Sequence, residues 1–254
     1  MDKPVLRSTL KKLRALPLDR ANHPNLMMAP QEMLDFLAMR AGLKPVHLLG
    51  RGFDDREWID GALAMARKAG LHVIEGPIWN AKPPEEAFPI WYRDHLKAIE
   101  PVENVYYVCR AEGTAEAVER SFGNPPISMD EEAQLLGYPP CCVRAHYDRA
   151  ALLDRTFYKM LERTANGNVE EMQRLIREDA ALKAETPDEE SALKEATEFT
   201  PAPFTSFHMC SACAADPSGP AGQLSKKYEA LARAVDDDWA KQIAKHQEGV
   251  RRNG

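Results

Sequence analysis

A chain of 254 residues, 44% hydrophobic and 28% charged, lies in the range of soluble globular proteins and can bury a sizeable core as one large domain or two small ones. Its formal net charge of -6 offers no broad basic surface of the kind that phosphate backbones select, short runs such as Lys11-Lys12 aside, so nucleic acid is not an expected partner. No stretch approaches the ~18 consecutive apolar residues of a membrane span, which argues against integral membrane association.

The first segment, MDKPVLRSTLKKLRAL, is basic and amphipathic, with Leu6, Leu10 and Leu13 at helical spacing. It lacks the apolar run and small-residue cleavage site of a secretory signal. An organellar transit peptide would share its character, but an ordinary first helix is the simpler reading and the cytoplasm the expected location. In that compartment five cysteines stay mostly reduced, and clustered thiols point to metal or redox chemistry before structural disulfides.

From about residue 30 to 122 helical and strand patterns alternate, the mark of an α/β layer. Pro30 to Gly42 reads as a helix with Met33, Leu34, Leu37 and Ala38 on one face, and Val46 to Leu49 as a strand. Asp54 caps a second helix with Glu57 three positions on and Trp58, Ala62, Met65 and Ala66 on its apolar face, stopping before Gly70. Leu71 to Ile74 is the next strand. Glu75 to Ile99 reads as irregular, mixing Pro77, Pro83, Pro84 and Pro89 with Trp79, Phe88, Trp91 and Tyr92, either a packed surface loop or a pocket wall. Val105 to Cys109 is the clearest strand and leads into a helix over Thr114 to Phe122.

Beyond residue 125 the strand signals fade. Ser128 and Glu131 form a capping box for a helix ending at Gly137, and Thr186, Pro187 and Glu189 mark another start. Val169 to Glu198 holds ten acidic residues against four basic ones, a solvated face on surface helices. Leu224, Tyr228, Leu231, Val235 and Trp239 share one stripe, so the last segment should dock on the core. Linker composition occurs only at Thr200 to Pro203 and Pro217 to Gly222. The expected organisation is an α/β region over residues 1–125 followed by a mainly helical, cysteine-containing region over 126–254, or both within one compact domain.

Chemistry concentrates in the cysteines. In Leu136-Gly137-Tyr138-Pro139-Pro140-Cys141-Cys142, Gly137 ends one helix and Pro140 suits the first turn of the next. Cys141 and Cys142 then fall in the first turn of a helix expected to run to about Thr164, where free N–H groups and the helix dipole favour thiolate. Cys142 shares a stripe with His146, Ala150, Leu153 and Phe157, read as facing the interior. Cys210 and Cys213 form a C-x-x-C whose spacing lets two sulfurs meet one metal or cluster. Together Cys141, Cys142, Cys210 and Cys213 make a four-ligand set.

Adjacent cysteines are awkward on one small ion and easier on an iron–sulfur cluster such as [4Fe–4S], so a cluster is the leading expectation and zinc the alternative. A zinc site would draw on Cys142, His146, Cys210 and Cys213, or on His208, which equally suits a supporting donor to sulfur. Metal-free thiol–disulfide chemistry is a further reading, although the strand–helix context of a thioredoxin-type motif is missing around Cys210. Cys109, at a strand end, is a buried hydrophobe. Tyr138, Arg144, His146 and His208 are expected around any pocket, with Arg144 facing an anionic substrate.

The pairing of L-G-Y-P-x-C-C (Leu136, Gly137, Tyr138, Pro139, Cys141, Cys142) with H-x-C-x-x-C (His208, Cys210, Ser211, Cys213) resembles a family of uncharacterised prokaryotic proteins, over residues 104–216. The resemblance implies that the four cysteines form one site and supplies no reaction. The tandem cysteines also resemble cluster ligands of a respiratory-complex subunit, an analogy of two residues that carries no fold. Expected settings are therefore a redox or biosynthetic enzyme with a small-molecule substrate or redox partner protein, or a zinc-stabilised interaction module without catalysis. No phosphate-binding glycine loop, H-E-x-x-H helix or G-x-S-x-G elbow is present.

Overall fold

A computed structural model describes residues 2–16, 30–50, 56–82, 85–99, 105–123, 125–197 and 204–253. The fold is mainly helical around a small antiparallel sheet. In chain order the elements are α1 (Lys3–Arg14), α2 (Pro30–Ala41), β1 (Val46–Leu49), α3 (Arg56–Lys68), β2 (His72–Gly76), α4 (Ile90–Ile99), β3 (Val105–Cys109) and α5 (Glu112–Arg120). There follow α6 (Met129–Leu136), α7 (Pro140–Thr164), α8 (Val169–Arg177), α9 (Pro187–Thr197), α10 (Ser211–Ala215), α11 (Pro220–Val235) and α12 (Asp237–Asn253).

The most β-prone segment takes the centre of the sheet. β3 lies between β1 and β2, antiparallel to both, with Val46 opposite Cys109 on one side and His72 opposite Cys109 on the other. Alternation along β3 sends Val108 to one face and Val105, Tyr107 and Cys109 to the other, and both faces are covered. Cys109 is fully buried there, as its position at a strand end suggested.

The larger core lies on the Val108 face. It joins α1 through Leu6, Leu10 and Leu13, α2 through Leu34, Phe36 and Leu37, and α3 through Trp58 and Ala62, to Tyr228, Leu231, Val235 and Trp239 of the last two helices. The C-terminal stripe thus docks where its periodicity indicates, although Asp236 interrupts it and caps α12 by accepting from the Trp239 N–H at 3.0 Å. Burying each such large apolar side chain contributes about 1.5–3 kcal/mol, so the two ends of the chain are held together mainly by this layer.

Several expectations are corrected. The stretch read as irregular between Glu75 and Ile99 contains α4, and none of Trp79, Phe88, Trp91 and Tyr92 lines the cavity described below. The Trp79 backbone N–H donates to Tyr107 Oη and its indole N–H to Ser121 Oγ, while Phe88 and Tyr92 cluster with Tyr158 of α7. Pro217 to Gly222 is no linker but the tight entry to α11: a Cβ on Gly222 would stand 2.0 Å from the Pro217 carbonyl oxygen. Asp54, Pro83 and Pro84, and the Thr200 to Pro203 segment, lie outside the described residues. No helix among the described residues is long and apolar enough to cross a membrane.

Candidate metal centre

Two local structures deliver the four sulfurs. α6 opens on a capping box between Ser128 and Glu131 and closes at Gly137, whose φ of 70° is a left-handed conformation that side-chain-bearing residues avoid. The N–H groups of Gly137 and Tyr138 return to the carbonyls of Gln134 and Ala133. The chain then reverses, and Pro140 starts α7 at the position where a missing N–H costs nothing. Cys141 and Cys142 therefore sit in the first turn of a 25-residue helix, next to its positive end.

Across from them, Cys210 caps α10. Its sulfur accepts the Cys213 N–H at 3.5 Å, and its own N–H donates to Cys142 Sγ at 3.5 Å. The sulfurs of Cys141 and Cys213 stand 3.5 Å apart, and all four Sγ atoms lie within 4.8 Å of one another. Phe207, Ala221, Tyr138 and Leu224 pack around the cluster, so Cys142, Cys210 and Cys213 are buried while Cys141 opens to solvent.

Electrostatics divide these thiols. Burial pushes Cys142 well above the usual thiol range and Cys213 up to about 11. At Cys210 burial works in the same direction, but the Cys213 N–H and hydrogen bonds from Cys213, Cys141 and Cys142 outweigh it and bring its thiol below the ordinary value. Burial thus disfavours thiolate at Cys142 and Cys213, while the hydrogen bonds at Cys210 favour it. A central cation lets the four sulfurs ionise together, because its charge offsets both their burial and their mutual repulsion. No disulfide joins any of the five cysteines.

The stripe running from Cys142 is partly corrected. Cys142, His146, Ala150 and Leu153 do share a face, but that face lines a cavity of about 530 Å³ and is not the helix's core face. The core face is carried by Tyr147, Ala151, Met160 and Leu161, Val143 lies at its border with the cavity, and Phe157 is exposed. His146 and His208 line the cavity with Tyr138 and lie outside the four-sulfur group. Arg144 is excluded from that wall: it pairs on the surface with Asp130 at 3.3 Å.

The cavity floor holds what sequence reasoning missed. Asp35 and Lys44 form an ion pair of 2.8 Å with side chains 3% and 1% exposed. Asp35 Oδ2 also accepts from Ser206 Oγ at 2.6 Å and from Tyr138 Oη at 3.1 Å. Lys44 attraction and these hydrogen bonds overcome burial and hold the Asp35 carboxyl below its usual range. Glu32, on the same helix, is pushed up to about 7 by burial and by the Asp35 charge. A signal was present: Asp35 interrupts the apolar run Met33-Leu34-Asp35-Phe36-Leu37, where an acid is expected only if it is paired.

The network connects directly to the four-sulfur group. Tyr138, which donates to Asp35, stacks on Phe207 with ring centroids 4.8 Å apart, and Phe207 packs against the sulfurs. Set beside known proteins, the chain matches no protein-family model, and neither a curated protein nor a solved structure matches it significantly.

Proposed function

We propose that the protein is a zinc–thiolate protein in which Cys141, Cys142, Cys210 and Cys213 hold a single tetrahedral ion that fixes the α6–α7 turn to the segment before α11. The spacing of the sulfurs carries this reading. With zinc–sulfur bonds of ~2.3 Å, a tetrahedral site sets its sulfurs ~3.8 Å apart. The 3.5 Å contact and the 4.8 Å ceiling bracket that edge. An iron–sulfur cluster interposes iron and sulfide between its thiolates and needs a wider square or tetrahedron of sulfurs. Adjacency of Cys141 and Cys142 is no obstacle to a single ion, because the first turn of α7 brings both sulfurs within 4.8 Å of each other and of the Cys210–Cys213 pair.

Four thiolates close the coordination sphere, which suits a structural ion and leaves no open position for substrate. His146 and His208 then belong to the cavity beside the metal. Five free thiols fit a reducing compartment, and the cytoplasm is the proposed location. Replacing the native ion with cobalt(II) tests the geometry. The expected spectrum has intense visible bands of tetrahedral cobalt with strong thiolate charge transfer. Weak bands of a five- or six-coordinate ion would contradict it.

A further inference from the structure

We infer that the cavity between α2, α6 and α7 binds a small zwitterion with an apolar body, an amino acid or short peptide in its chemistry, with its ammonium toward Asp35 and its carboxylate toward Arg149.

Two buried polar atoms point to this ligand, and they differ in kind. Asp35 is 2% exposed, and its Oδ2 gathers three donors, from Lys44, Tyr138 and Ser206, while its Oδ1 has no hydrogen-bond partner. That leaves a buried acceptor on the cavity wall, costly unless a donor arrives. Arg149 Nη2, from α7, is likewise buried and without a partner, and Arg149 lines the same cavity. An acceptor and a donor at one site match a ligand that presents a donor and an acceptor.

Charge favours the zwitterion over a neutral molecule. Asp35 and Glu32 both line the cavity, and Lys44 is committed to Asp35 at 2.8 Å. Burial and the Asp35 charge push Glu32 up to about 7, so it holds its proton readily, and a ligand ammonium beside the two acids favours its charged form. Arg149 lines the same cavity, and its guanidinium offers the fork geometry that carboxylates accept. Leu48, Leu136, Val143, Leu153 and Phe207 supply apolar walls. About 530 Å³ falls within the usual range of small-molecule sites and exceeds what a bare glycine-sized ligand would fill. Because these groups lie outside the sulfur cluster, the inference does not rest on the identity of the metal.

The test is calorimetric titration of the full-length protein as purified. The probes are the apolar L-amino acids and the dipeptide Leu-Leu, each paired with its C-terminal amide and its N-acetyl derivative. The expected result is that at least one free zwitterion binds and that blocking either end weakens it ten-fold or more. In Arg149→Gln the free acid and its amide should bind alike; in Asp35→Asn the free amine and its N-acetyl form should. Arg149→Gln keeps the test decisive if Asp35→Asn fails to fold. No binding by any free zwitterion, or equal binding of blocked and free forms, overturns the inference. Metal content measured on the same samples separates the two readings: Arg149→Gln should retain its ion, and a colourless, ion-free protein that still binds the zwitterion would sink the zinc proposal alone.

Discussion

The sulfurs of Cys141 and Cys213, 72 positions apart in the chain, stand 3.5 Å from each other, in direct contact. Cys210→Ser should therefore lose the ion, with an affinity drop larger than the ~10–100-fold typical of removing a supporting hydrogen bond. Cys109→Ser, buried in the sheet far along β3, should keep it. Metal content per chain after desalting reads both. Equal retention in the two variants would discard the site.

The Asp35–Lys44 pair predicts a strong asymmetry between single and double substitution. Lys44→Met leaves a buried carboxylate without its counter-charge and should cost about 3–5 kcal/mol in urea unfolding. The double variant Asp35→Leu/Lys44→Met should recover at least half of that, because no uncompensated charge remains. A single-variant cost under about 1 kcal/mol would show the pair behaving as a surface ion pair.

His47 gives a pH signature. It is 1% exposed, neither ring nitrogen has a hydrogen-bond partner, and burial assisted by the Lys44 charge pushes its pKa from 6.5 down to about 3. Between those values the unfolded chain binds a proton that the folded protein refuses. Its contribution is thus fully present above pH 6.5 and is lost as pH falls. Relative to His47→Gln, the wild type should lose up to about 1.4 kcal/mol per pH unit from about pH 6 downward. A stability difference that stays constant across that range would contradict a buried neutral histidine.

Gly137→Ala should destabilise by about 2 kcal/mol or more, lowering the thermal midpoint by about 4–8 °C. The residue has φ 70°, and an added Cβ would stand 2.9 Å from Lys44 Cβ and 3.2 Å from Lys44 Cα. Gly70→Ala shares the positive φ but meets nothing within 4 Å, so its smaller loss in the same melt isolates the steric part.

What was legible in the sequence was local. The Ser128–Glu131 box, the Gly137 stop, Pro140 at the helix start and the run to Thr164 are all written in adjacent residues, and each stands where its chemistry places it. The same holds for the three strands and for the leucine stripe of α1. What escaped depends on partners far apart. Asp35 meets Ser206 across 171 positions and Tyr138 across 103, so the network has no short-range pattern. α4 was hidden because the prolines around it outweigh a ten-residue helix with no acidic first turn. The facing of His146 and Ala150 toward a cavity depends on α2 and the Ser206 segment lying opposite, which periodicity along α7 alone does not encode.

Elemental and acid-labile sulfide analysis of protein purified without added metal distinguishes a single ion on four thiolates from a cluster. One zinc per chain, with neither iron nor sulfide and no visible colour, is the predicted result. Stoichiometric iron with sulfide and the broad visible absorbance of a cluster would contradict it.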